Sequence, residues 1–570
     1  MKKKLKIGIL INTYEIWSID FKMLERICNG DYAEISLIIK NEGHIHKLFN
    51  KVEKKGIYKV LGVNYILVIK YFFQRILKAY LSNRDMKYFQ DNLPSHSNNI
   101  KELLIDVPII KVKPRQTKYR DFFSEKDIDK ISEYNLDVLI RCGFRILSGP
   151  ILQSVKYGIW SFHHGDNDYN RGGPAGFWEY YEKWKKTGSV LQILSEDLDN
   201  GLIISKTFSK TDEFSHKKNI YNLYVKTSLM LTRKLKELYN IGGEKFMERV
   251  HKQNATPNFY DNRLFKPPEL SSLINLVLRD LKFRFYSMLK LNVKKGKWIL
   301  MYNFQDSISS SFWRFKKIIP PSDKFWADPF IVNHNDEYFI FIEEFDYKLG
   351  KGHISYIKLD NRGSHSTSKK VLEKEYHLSY PYIFNYKGTL YMIPESSENN
   401  TIDLYYCEEF PDKWLFKRTL INNINAHDAS LLVKDDKFWL FVNIVENELI
   451  SPNDELHIFY SDNLLNGQWN EHPQNPVISD VEKARSAGKL FYHNKQLYRP
   501  SQNCTKNYGF GLNINRIETL TTQQYKETTI KRLHPNWSDE IERFHTFNFE
   551  NRLAIIDAFI NLKLTKNKHH

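Results

Sequence analysis

Five polar residues, each near the start of a similar segment in the second half of the chain, have the types and spacing of a binding or catalytic site. They are Asp328, Tyr380, Asp428, Arg485 and His545, and roughly 45–60 residues separate each one from the next. If the segments repeat around an axis, these side chains converge on one central channel. Carboxylate, phenol, guanidinium and imidazole groups gathered in such a channel form a sugar-binding pocket, in which an aromatic ring such as that of Tyr380 stacks on a sugar face.

A second group of candidate residues lies where short apolar segments end in the first half of the chain. The run LDVLIRCG ends at Gly143, and the run GIWSFH ends at His163. In open sheets of parallel strands, ligands bind beyond the carboxyl ends of the strands. The residues just after 143 and 163 are therefore the first places where a ligand is expected.

The elements that must position the second group alternate between strands and helices. Such alternation predicts βαβ units and a mostly parallel α/β sheet. The predicted strands cover residues 5–10, 34–40, 107–112, 136–143 and 158–163, and predicted helices cover residues 125–134 and 174–186.

After about residue 295 the sequence becomes all-β, with short aromatic strands between turns. Five segments share the order polar motif, strand, turn and second strand, which predicts a five-bladed β-propeller with the polar motifs on the innermost strands. The segments are 326–344, 379–396, 427–443, 485–502 and 543–559.

Composition bounds the class of protein. Of the 570 residues, 42% are hydrophobic and 26% are charged, which excludes a disordered, collagenous or coiled-coil chain. The net charge of +17 indicates anionic partners, although a merely solvated surface fits equally well. The four cysteines contain no CxxC pair, so the sequence predicts no metal site and no disulfide framework, and it fits a reducing cytoplasm.

Two segments combine apolar and basic residues and have two interpretations. Residues 56–82 interrupt the strand–helix alternation, and residues 270–291 follow the Pro267–Pro268 break. Each segment could be a basic amphipathic helix on a membrane surface. The alternative is a helix packed on the protein or on a partner, which for 270–291 means a helix connecting the two halves.

Residues 136–207 resemble the formyltransferases that use 10-formyltetrahydrofolate. In that family one strand ends in G-[FY]-x-x-[IL], the next carries Asn-x-His before an Arg-Gly loop, and a later loop reads L-D-x-G. Here the corresponding stretches are 143–147, 161–163, 171–172 and 198–201. The resemblance implies a Rossmann-like fold and 10-formyltetrahydrofolate as cofactor. It also implies a folate pocket lined by Gly143, Phe144, Ile146, Leu147, Asp197 and Leu198.

The resemblance implies roles for three catalytic residues. His163 would be the general base or the oxyanion donor, Asp199 would orient it, and Ser161 takes the place of the amide that polarises the formyl oxygen. Losing one oxyanion donor typically costs about 10²–10³ in rate. Because the amide and the following loop differ from the family pattern, His164 and Asp166 become replacement candidates, with Arg171 as a substrate contact.

Residues 296–560 resemble the N-terminal propeller region of plant glucosamine inositolphosphorylceramide transferases. The motifs are HLSYPY (377–382), YMIPES (391–396) and ADPF (327–330). A more distant resemblance is to the five-bladed arabinanase and invertase-type glycoside hydrolases, which implies that Asp328, Glu395 and Asp428 supply acid and base groups. The alternative is a sugar-binding channel without hydrolysis, in which His427 also takes part.

Together these features predict a formyltransferase-like α/β domain (1–260, with a helical insertion at 56–82), a helical linker (261–295) and a five-bladed propeller (296–562). The predicted function is transfer of a formyl group from 10-formyltetrahydrofolate to an amino sugar in bacterial surface polysaccharide or glycolipid synthesis. The alternatives are a glycosyltransferase or glycoside-processing enzyme acting in the propeller channel, and a non-catalytic glycan-binding scaffold.

The predicted partners are an amino sugar, a nucleotide-sugar or a glycolipid. Nucleic acid is not expected, because the basic residues are scattered and no RNA-binding module is present. The expected location is the cytoplasm, with contact to the inner face of the membrane as one interpretation of 56–82.

Overall fold

A computed structural model describes residues 2–43, 65–88, 97–289, 296–309, 311–448 and 450–561. The chain divides into two compact units, Met1–Leu289 and Lys290–His570, which are described separately. Residues 56–64 of the predicted insertion lie outside the described residues.

The first unit is built on a seven-stranded sheet with the order β12-β11-β10-β8-β1-β3-β5. This sheet includes all five strands predicted from the sequence. The strands of this unit are β1 (Leu5–Ile11), β2 (Glu15–Trp17), β3 (Ala33–Asn41), β4 (Ser97–Asn99), β5 (Ile109–Val112), β6 (Arg115–Gln116), β7 (Arg120–Phe122), β8 (Val138–Arg141), β9 (Ile146–Ser148), β10 (Ile159–His163), β11 (Lys186–Ile193) and β12 (Leu202–Lys210).

The central strands are parallel, whereas β11 and β12 are antiparallel to their neighbours. β1 is an almost continuous apolar run because a parallel sheet is covered on both faces. Its side chains alternate: Ile7 and Ile9 belong to the apolar cluster on one face, and Leu10 belongs to the cluster on the other. At Gly8 a Cβ atom would lie 2.6 Å from Leu136 Cδ1, so the leucine side chains pack closely on this strand.

The helices of the first unit cover both faces of this sheet. α1 turns one side inward because Ile19, Met23 and Ile27 recur at helical spacing and are all buried. The helices are α1 (Ser18–Cys28), α2 (Tyr65–Tyr88), α3 (Glu125–Ser132), α4 (Phe177–Glu182), α5 (His216–Ile241), α6 (Gly243–Gln253) and α7 (Leu270–Leu289). Within the described residues, no helix has both the length and the apolar character needed to cross a membrane.

α7 packs within the first unit, although the sequence analysis placed it in a linker. Leu273 and Leu276 are almost fully buried in a cluster with Phe177 and Trp178 of α4. The guanidinium of Arg279 donates a hydrogen bond to the carbonyl oxygen of Tyr181 at 3.1 Å. These contacts make α7 a structural part of the first unit.

The second unit consists of short antiparallel strands. They are β13 (Gly296–Phe304), β14 (Lys316–Ile318), β15 (Lys324–His334), β16 (Glu337–Asp346), β17 (Lys351–Leu359), β18 (Lys369–Leu372), β19 (Ser379–Tyr386), β20 (Thr389–Glu395), β21 (Thr401–Glu409), β22 (Lys413–Asn422), β23 (Ala426–Lys434), β24 (Lys437–Ile444), β25 (Glu455–Ser461), β26 (Asn470–Glu471), β27 (Ile478–Ser479), β28 (Phe491–His493), β29 (Gln496–Asn503), β30 (Gly511–Leu520), β31 (Tyr525–Leu533), β32 (Ile541–Arg543), β33 (Phe547–Glu550) and β34 (Leu553–Asn561).

These strands form five antiparallel sheets, one for each repeated segment of the sequence. Four sheets are local in sequence, at β15–β18, β19–β22, β23–β27 and β28–β31. The fifth combines β13 and β14 with β32, β33 and β34. In it Gly296 to Phe304 pair with Asn561 to Leu553, which joins the two ends of the unit by backbone hydrogen bonds. The five sheets match the predicted repeats in number, and the five-bladed propeller itself stays a prediction.

Three of the repeated polar residues share an unusual backbone conformation. Asp328, Tyr380 and Asp428 have φ angles of 50°, 44° and 48°, and each lies at a bulge in the first strand of its sheet. Bulges re-aim side chains, and positive φ at non-glycine residues is concentrated at functional sites. A bulge with a positive φ angle therefore recurs at the same position in three of the repeated segments.

Candidate functional site

The strand-end site of the first unit, which comprises Ser161, His163 and Asp199, is assembled as the sequence predicts. Ser161 and His163 lie on β10, and Asp199 lies in the turn between β11 and β12. His163 Nδ1 is 3.4 Å from Asp199 Oδ1. The other carboxylate oxygen, Asp199 Oδ2, accepts a hydrogen bond from the backbone N–H of Gly172 at 3.3 Å, which ties the Arg-Gly loop to the pair.

Both ring nitrogens of His163 are engaged. Nε2 donates a hydrogen bond to the carbonyl oxygen of Asn170 at 2.6 Å, while Nδ1 faces Asp199. Burial disfavours the charged ring, but the hydrogen bond to Asp199 and its negative charge outweigh that effect and raise the pKa of His163. Two acceptors therefore face the ring, and the raised pKa favours its doubly protonated form, which has no lone pair with which to act as a base.

The hydroxyl of Ser161 is held by a neighbouring arginine. Arg141 Nε, at the end of β8, donates to Ser161 Oγ at 2.9 Å, and Arg141 Nη1 donates to the carbonyl oxygen of Arg145 at 3.0 Å. Burial lowers the pKa of Arg141. The sequence analysis missed Arg141, whose only signal was its place at a strand end.

The replacement candidates have structural partners. His164 stacks on Tyr224 at 4.0 Å, and burial lowers the pKa of its ring to about 3, so it is neutral. Asp166 accepts a hydrogen bond from Lys206 Nζ at 2.9 Å. Arg171 donates to the carbonyl oxygen of Asn167 at 3.0 Å.

The residues predicted to line a folate pocket are divided between the core and the surface. Phe144 and Leu147 are 7% and 2% exposed within an apolar cluster, so their side chains do not face a ligand. This corrects the expectation for those two residues. A Cβ atom at Gly143 would lie 2.7 Å from the backbone nitrogen of Asn12, so tight packing requires this glycine.

The remaining predicted pocket residues are more accessible. Ile146 is partly buried on β9, whereas Asp197 and Leu198 are exposed in the turn before Asp199. In the strand-end site, Ser161 Oγ accepts a hydrogen bond from Arg141, and the ring of His163 lies between Asp199 and the carbonyl oxygen of Asn170. The cofactor 10-formyltetrahydrofolate stays an untested prediction.

Three further buried residues surround His163. Asn170 Nδ2 donates to Glu179 Oε1 at 3.0 Å, and burial raises the pKa of Glu179. Within the described part of the chain, Asn167 Oδ1, Asn170 Oδ1 and Glu179 Oε2 are buried without a hydrogen-bond partner. Sequence reasoning missed Asn170 and Glu179, because neither lies at a strand end.

In the second unit, all five repeated polar residues are buried, and several of them meet. Arg485 donates two hydrogen bonds to Asp428, from Nε to Oδ2 at 2.6 Å and from Nη2 to Oδ1 at 3.1 Å. Gln502 Nε2 adds a third to Asp428 Oδ2 at 3.1 Å. Both carboxylate oxygens of Asp428 therefore accept hydrogen bonds from neighbouring side chains.

Glu395 links the second sheet to the third. Its Oε2 accepts a hydrogen bond from the backbone N–H of Asp428 at 3.0 Å, and its Oε1 lies 3.0 Å from His427 Nδ1. Burial opposes ionisation, but the charges of His427 and Arg485 outweigh it and lower the pKa of Glu395. Glu395 is therefore an ionised carboxylate.

Asp557 links the fifth sheet to the first. Its carboxylate accepts backbone N–H groups from Asp328, His545 and Thr546 at 2.9, 3.0 and 3.0 Å. Asp557 Oδ2 also lies 2.6 Å from His545 Nδ1. Asp328, His545 and Asp557 have ligand atoms within 4.8 Å of one another, close enough to hold a metal ion. No metal site was predicted from the sequence. The hydrogen bonds that Asp557 already accepts explain why the three residues lie together, because these bonds connect the fifth sheet to the first.

Tyr380 does not present its ring to a ligand, which corrects the sugar-stacking expectation for this residue. Its side chain is 0% exposed, and its ring meets the edge of Phe330 at 4.9 Å. The hydroxyl lies 2.9 Å from Ser430 Oγ and accepts the backbone N–H of Gly488 at 2.8 Å. Tyr380 is therefore a buried residue whose contacts connect neighbouring sheets.

Glu343 was not predicted from the sequence. Its carboxyl group has fewer hydrogen-bond partners in the described structure than those of Glu395, Asp428 and Asp557. It lies on β16 opposite Ala327, at the position that Glu395 occupies opposite Ser379 in the next sheet. Glu395 accepts a backbone N–H, whereas Glu343 Oε1 lies 3.4 Å from His377 Nε2. Burial and the negative charges of Asp328 and Glu395 raise the pKa of Glu343 well above its usual value. Its carboxyl therefore keeps its proton to a higher pH than an ordinary glutamate does.

The carboxylate cluster, defined as Asp328, Glu343, Glu395, Asp428 and Asp557, thus contains groups whose pKa values are shifted in opposite directions. Burial raises the pKa of Asp328 to about 6, although the charge of His545 opposes the shift. The pKa of Glu395 is lowered, whereas that of Glu343 is raised. Carboxyl groups whose environments drive their pKa values apart are typical of acid–base sites.

Comparisons with known proteins concern the second unit most directly. Residues 316–543 match the family described as glucosamine inositolphosphorylceramide transferase 1, N-terminal. The glucosamine inositolphosphorylceramide transferase 1 of Oryza sativa subsp. japonica is 35% identical over 209 residues, which cover 36% of this chain and 28% of the rice protein. The chain therefore spans less than a third of the length of this curated relative.

Solved structures resemble each unit at low sequence identity. A family 117 glycoside hydrolase of Zobellia galactanivorans covers 46% of this chain and 91% of its own, at 11% identity and a TM-score of 0.31. A phosphoribosylglycinamide formyltransferase of Campylobacter jejuni covers 40% and 94%, at 18% identity and a TM-score of 0.26. These scores are too low to assign a function.

Proposed function

We propose that the second unit is the active part of this protein and that it acts on a carbohydrate by transferring or hydrolysing a glycosyl group. The observation that carries the proposal is that Glu343 and Glu395, at equivalent positions of neighbouring sheets, lie in a single buried cluster in which burial and neighbouring charges shift their pKa values in opposite directions. Glycosyl chemistry uses such a pair, because one carboxylic acid protonates the leaving oxygen and a carboxylate serves as base or nucleophile.

Glu343 is the proton donor in this proposal. Asp428, Glu395 and Asp557 are held by arginine, histidine or backbone N–H groups, whereas among the described residues Glu343 contacts the ring of His377 at 3.4 Å. Asp328, with a pKa of about 6, lies in the same field of negative charge. Protonation of Glu343 relieves the repulsion within the cluster and prepares an acid for the leaving group.

The more accessible members of the site mark the side from which a sugar would approach. The side chains of His377 and His427 are 27% and 15% exposed, whereas that of Asp428 is 2% exposed. A ligand would therefore meet Glu343 and the two histidines first. Arg485 and Asp428 would lie behind them as support.

The similarity to a glucosamine inositolphosphorylceramide transferase supports a sugar-bearing glycolipid as the substrate class. Because the match covers only part of the plant proteins, their activity is not carried over to the whole chain. The amino sugar and nucleotide-sugar partners predicted from the sequence stay predictions.

The test is an activity screen of the full chain with 4-nitrophenyl glycosides, including glucosaminides, in which release of nitrophenolate is followed with and without an alcohol acceptor. Active turnover is expected to fall by about 10²–10⁴ in Glu343→Gln, because the amide cannot supply a proton. The matched control is Glu337→Gln on the same strand, whose side chain is 58% exposed.

Two outcomes would contradict this proposal. Full activity in Glu343→Gln would exclude the acid role. Sugar binding without any turnover would leave the glycan-binding alternative in its place. Formyl transfer is a separate untested prediction, and no step of the present proposal depends on it.

A further inference from the structure

Two helices of the first unit expose large apolar side chains beside each other. On α2, Phe72, Phe73 and Ile76 are 63%, 52% and 48% exposed. α7 contributes a second group, which comprises Ile274, Leu278, Leu281 and Phe285 at 42%, 57%, 50% and 57% exposure. We call these seven residues the exposed apolar face.

The α7 part of this face is a regular stripe. Its residues recur at positions i, i+4, i+7 and i+11, which places them on one side of a helix. Another side of α7 is already used, since Leu273 and Leu276 are 1% exposed against α4. The helix therefore carries apolar residues on two sides, and the side with Leu273 and Leu276 is the buried one.

Specific contacts hold the two helices together. Tyr80 on α2 donates a hydrogen bond from its hydroxyl to Asp280 Oδ2 on α7 at 2.9 Å. Arg284 Nε donates to the same oxygen at 3.0 Å. Leu77 and Leu81 of α2 pack against the cluster that contains Leu273. The exposed apolar face is thus a preformed surface.

The charge around this face is strongly positive. Residues 72–83 and 270–285 contain five basic side chains and a single carboxylate, Asp280, which is buried and paired with Arg284. The basic residues are Arg75, Lys78, Arg279, Lys282 and Arg284. Apolar residues in a basic surround are the pattern of a helix lying in the interface of an anionic bilayer.

We propose that α2 and α7 together form a docking surface for an anionic lipid membrane. The apolar side chains enter the boundary between headgroups and acyl chains, and the basic side chains contact lipid phosphates. The helices lie on the membrane instead of crossing it, in keeping with the lack of a spanning helix in the described part of the chain. This surface is separate from the carboxylate cluster, and the proposal does not depend on the glycosyl chemistry.

The test is co-sedimentation of the full chain with extruded vesicles of phosphatidylcholine alone or of phosphatidylcholine with phosphatidylglycerol. Binding is expected with the anionic vesicles and is expected to weaken as salt rises. Leu278→Ser, Leu281→Ser and Phe285→Ser combined should lower the partition coefficient at least about tenfold, because each removes buried apolar area. Lys282→Glu should weaken binding to anionic vesicles only.

A matched control carries Leu349→Ser, Phe416→Ser and Ile530→Ser, at residues of the second unit that are 57%, 53% and 50% exposed. It should bind as the unchanged chain does. Equal loss in the control, or no binding to anionic vesicles, would overturn the proposal. A dimer in light scattering that the α7 variant dissociates would also overturn it, because the face would then join two copies of the chain.

Discussion

Arg485 and Asp428, which lie 57 residues apart in sequence, form a two-bonded ion pair in which each side chain is at least nine-tenths buried. The pair joins the start of the fourth repeated segment to the first strand of the third sheet. Nothing in either segment alone requires the contact. It arises because the chain folds both segments toward the same place.

Removing Arg485 should strongly destabilise the second unit. Arg485→Met leaves Asp428 as a buried charge without its partner, which typically costs about 3–5 kcal/mol. Urea unfolding followed by tryptophan fluorescence measures this loss. Arg532→Met is the control, because Arg532 pairs with Glu482 while 55% exposed and should cost about 1 kcal/mol or less. Equal costs for the two variants would contradict the prediction.

Glu343 should make stability depend on pH. Its pKa is raised in the folded protein, so its stabilising contribution is full below the unfolded pKa and is lost as pH rises through the folded pKa. As pH rises above the ordinary pKa of glutamate, the free energy of unfolding should therefore fall more in the unchanged chain than in Glu343→Gln. Parallel pH profiles for the two proteins would show that Glu343 is ionised throughout.

Asp328 adds to the same pH dependence. Its pKa of about 6 lies above the usual 3.8, so its contribution is present in acid and is lost as pH rises through about 6. Asp328→Asn should flatten the profile in this narrower range. Asp336→Asn, in the turn that follows the same strand, is the control and should leave the profile unchanged.

The hydroxyl of Tyr380 should contribute to stability and not to sugar binding. Tyr380→Phe removes the acceptor for the buried Gly488 N–H, which should cost about 1–3 kcal/mol. Denaturant titration measures the loss, and Tyr492→Phe, at a side chain that is 56% exposed, should cost almost nothing. Unchanged stability in Tyr380→Phe would contradict this prediction.

The pair of His163 and Asp199 should act as a buried ion pair. The pKa of His163 is raised and that of Asp199 is lowered, since bonds and charges from the partner outweigh burial in both cases. His163→Ala should therefore cost about 2–4 kcal/mol near pH 6, and the cost should shrink at higher pH as the imidazolium loses its proton. Calorimetric unfolding at several pH values measures this cost.

A folate titration separates that structural role from formyl transfer. The full chain should give no binding heat with a reduced-folate analogue, because Ser161 and His163 are already held. Binding that His163→Ala abolishes would contradict this expectation and restore the predicted catalytic role.

The sequence by itself determined the two-part organisation. The alternation of apolar runs and helices gave strands within a residue or two of β1, β3 and β10, and five repeated segments became five sheets. Local patterns succeed here because the period of apolar residues reports directly which face of an element is covered. The pairing of His163 with Asp199 was also predictable, from its resemblance to a known motif.

Only the tertiary structure decided which polar residues are available for chemistry. Tyr380 and Phe144 looked like ligand contacts but are buried, while Glu343 on β16 meets His377 from the segment before β19. The pKa of Glu343 depends on burial and on the charges of Asp328, on the neighbouring strand, and of Glu395, in the next sheet. Burial and electrostatic fields are sums over neighbours that the fold brings together, so no single segment of sequence contains them.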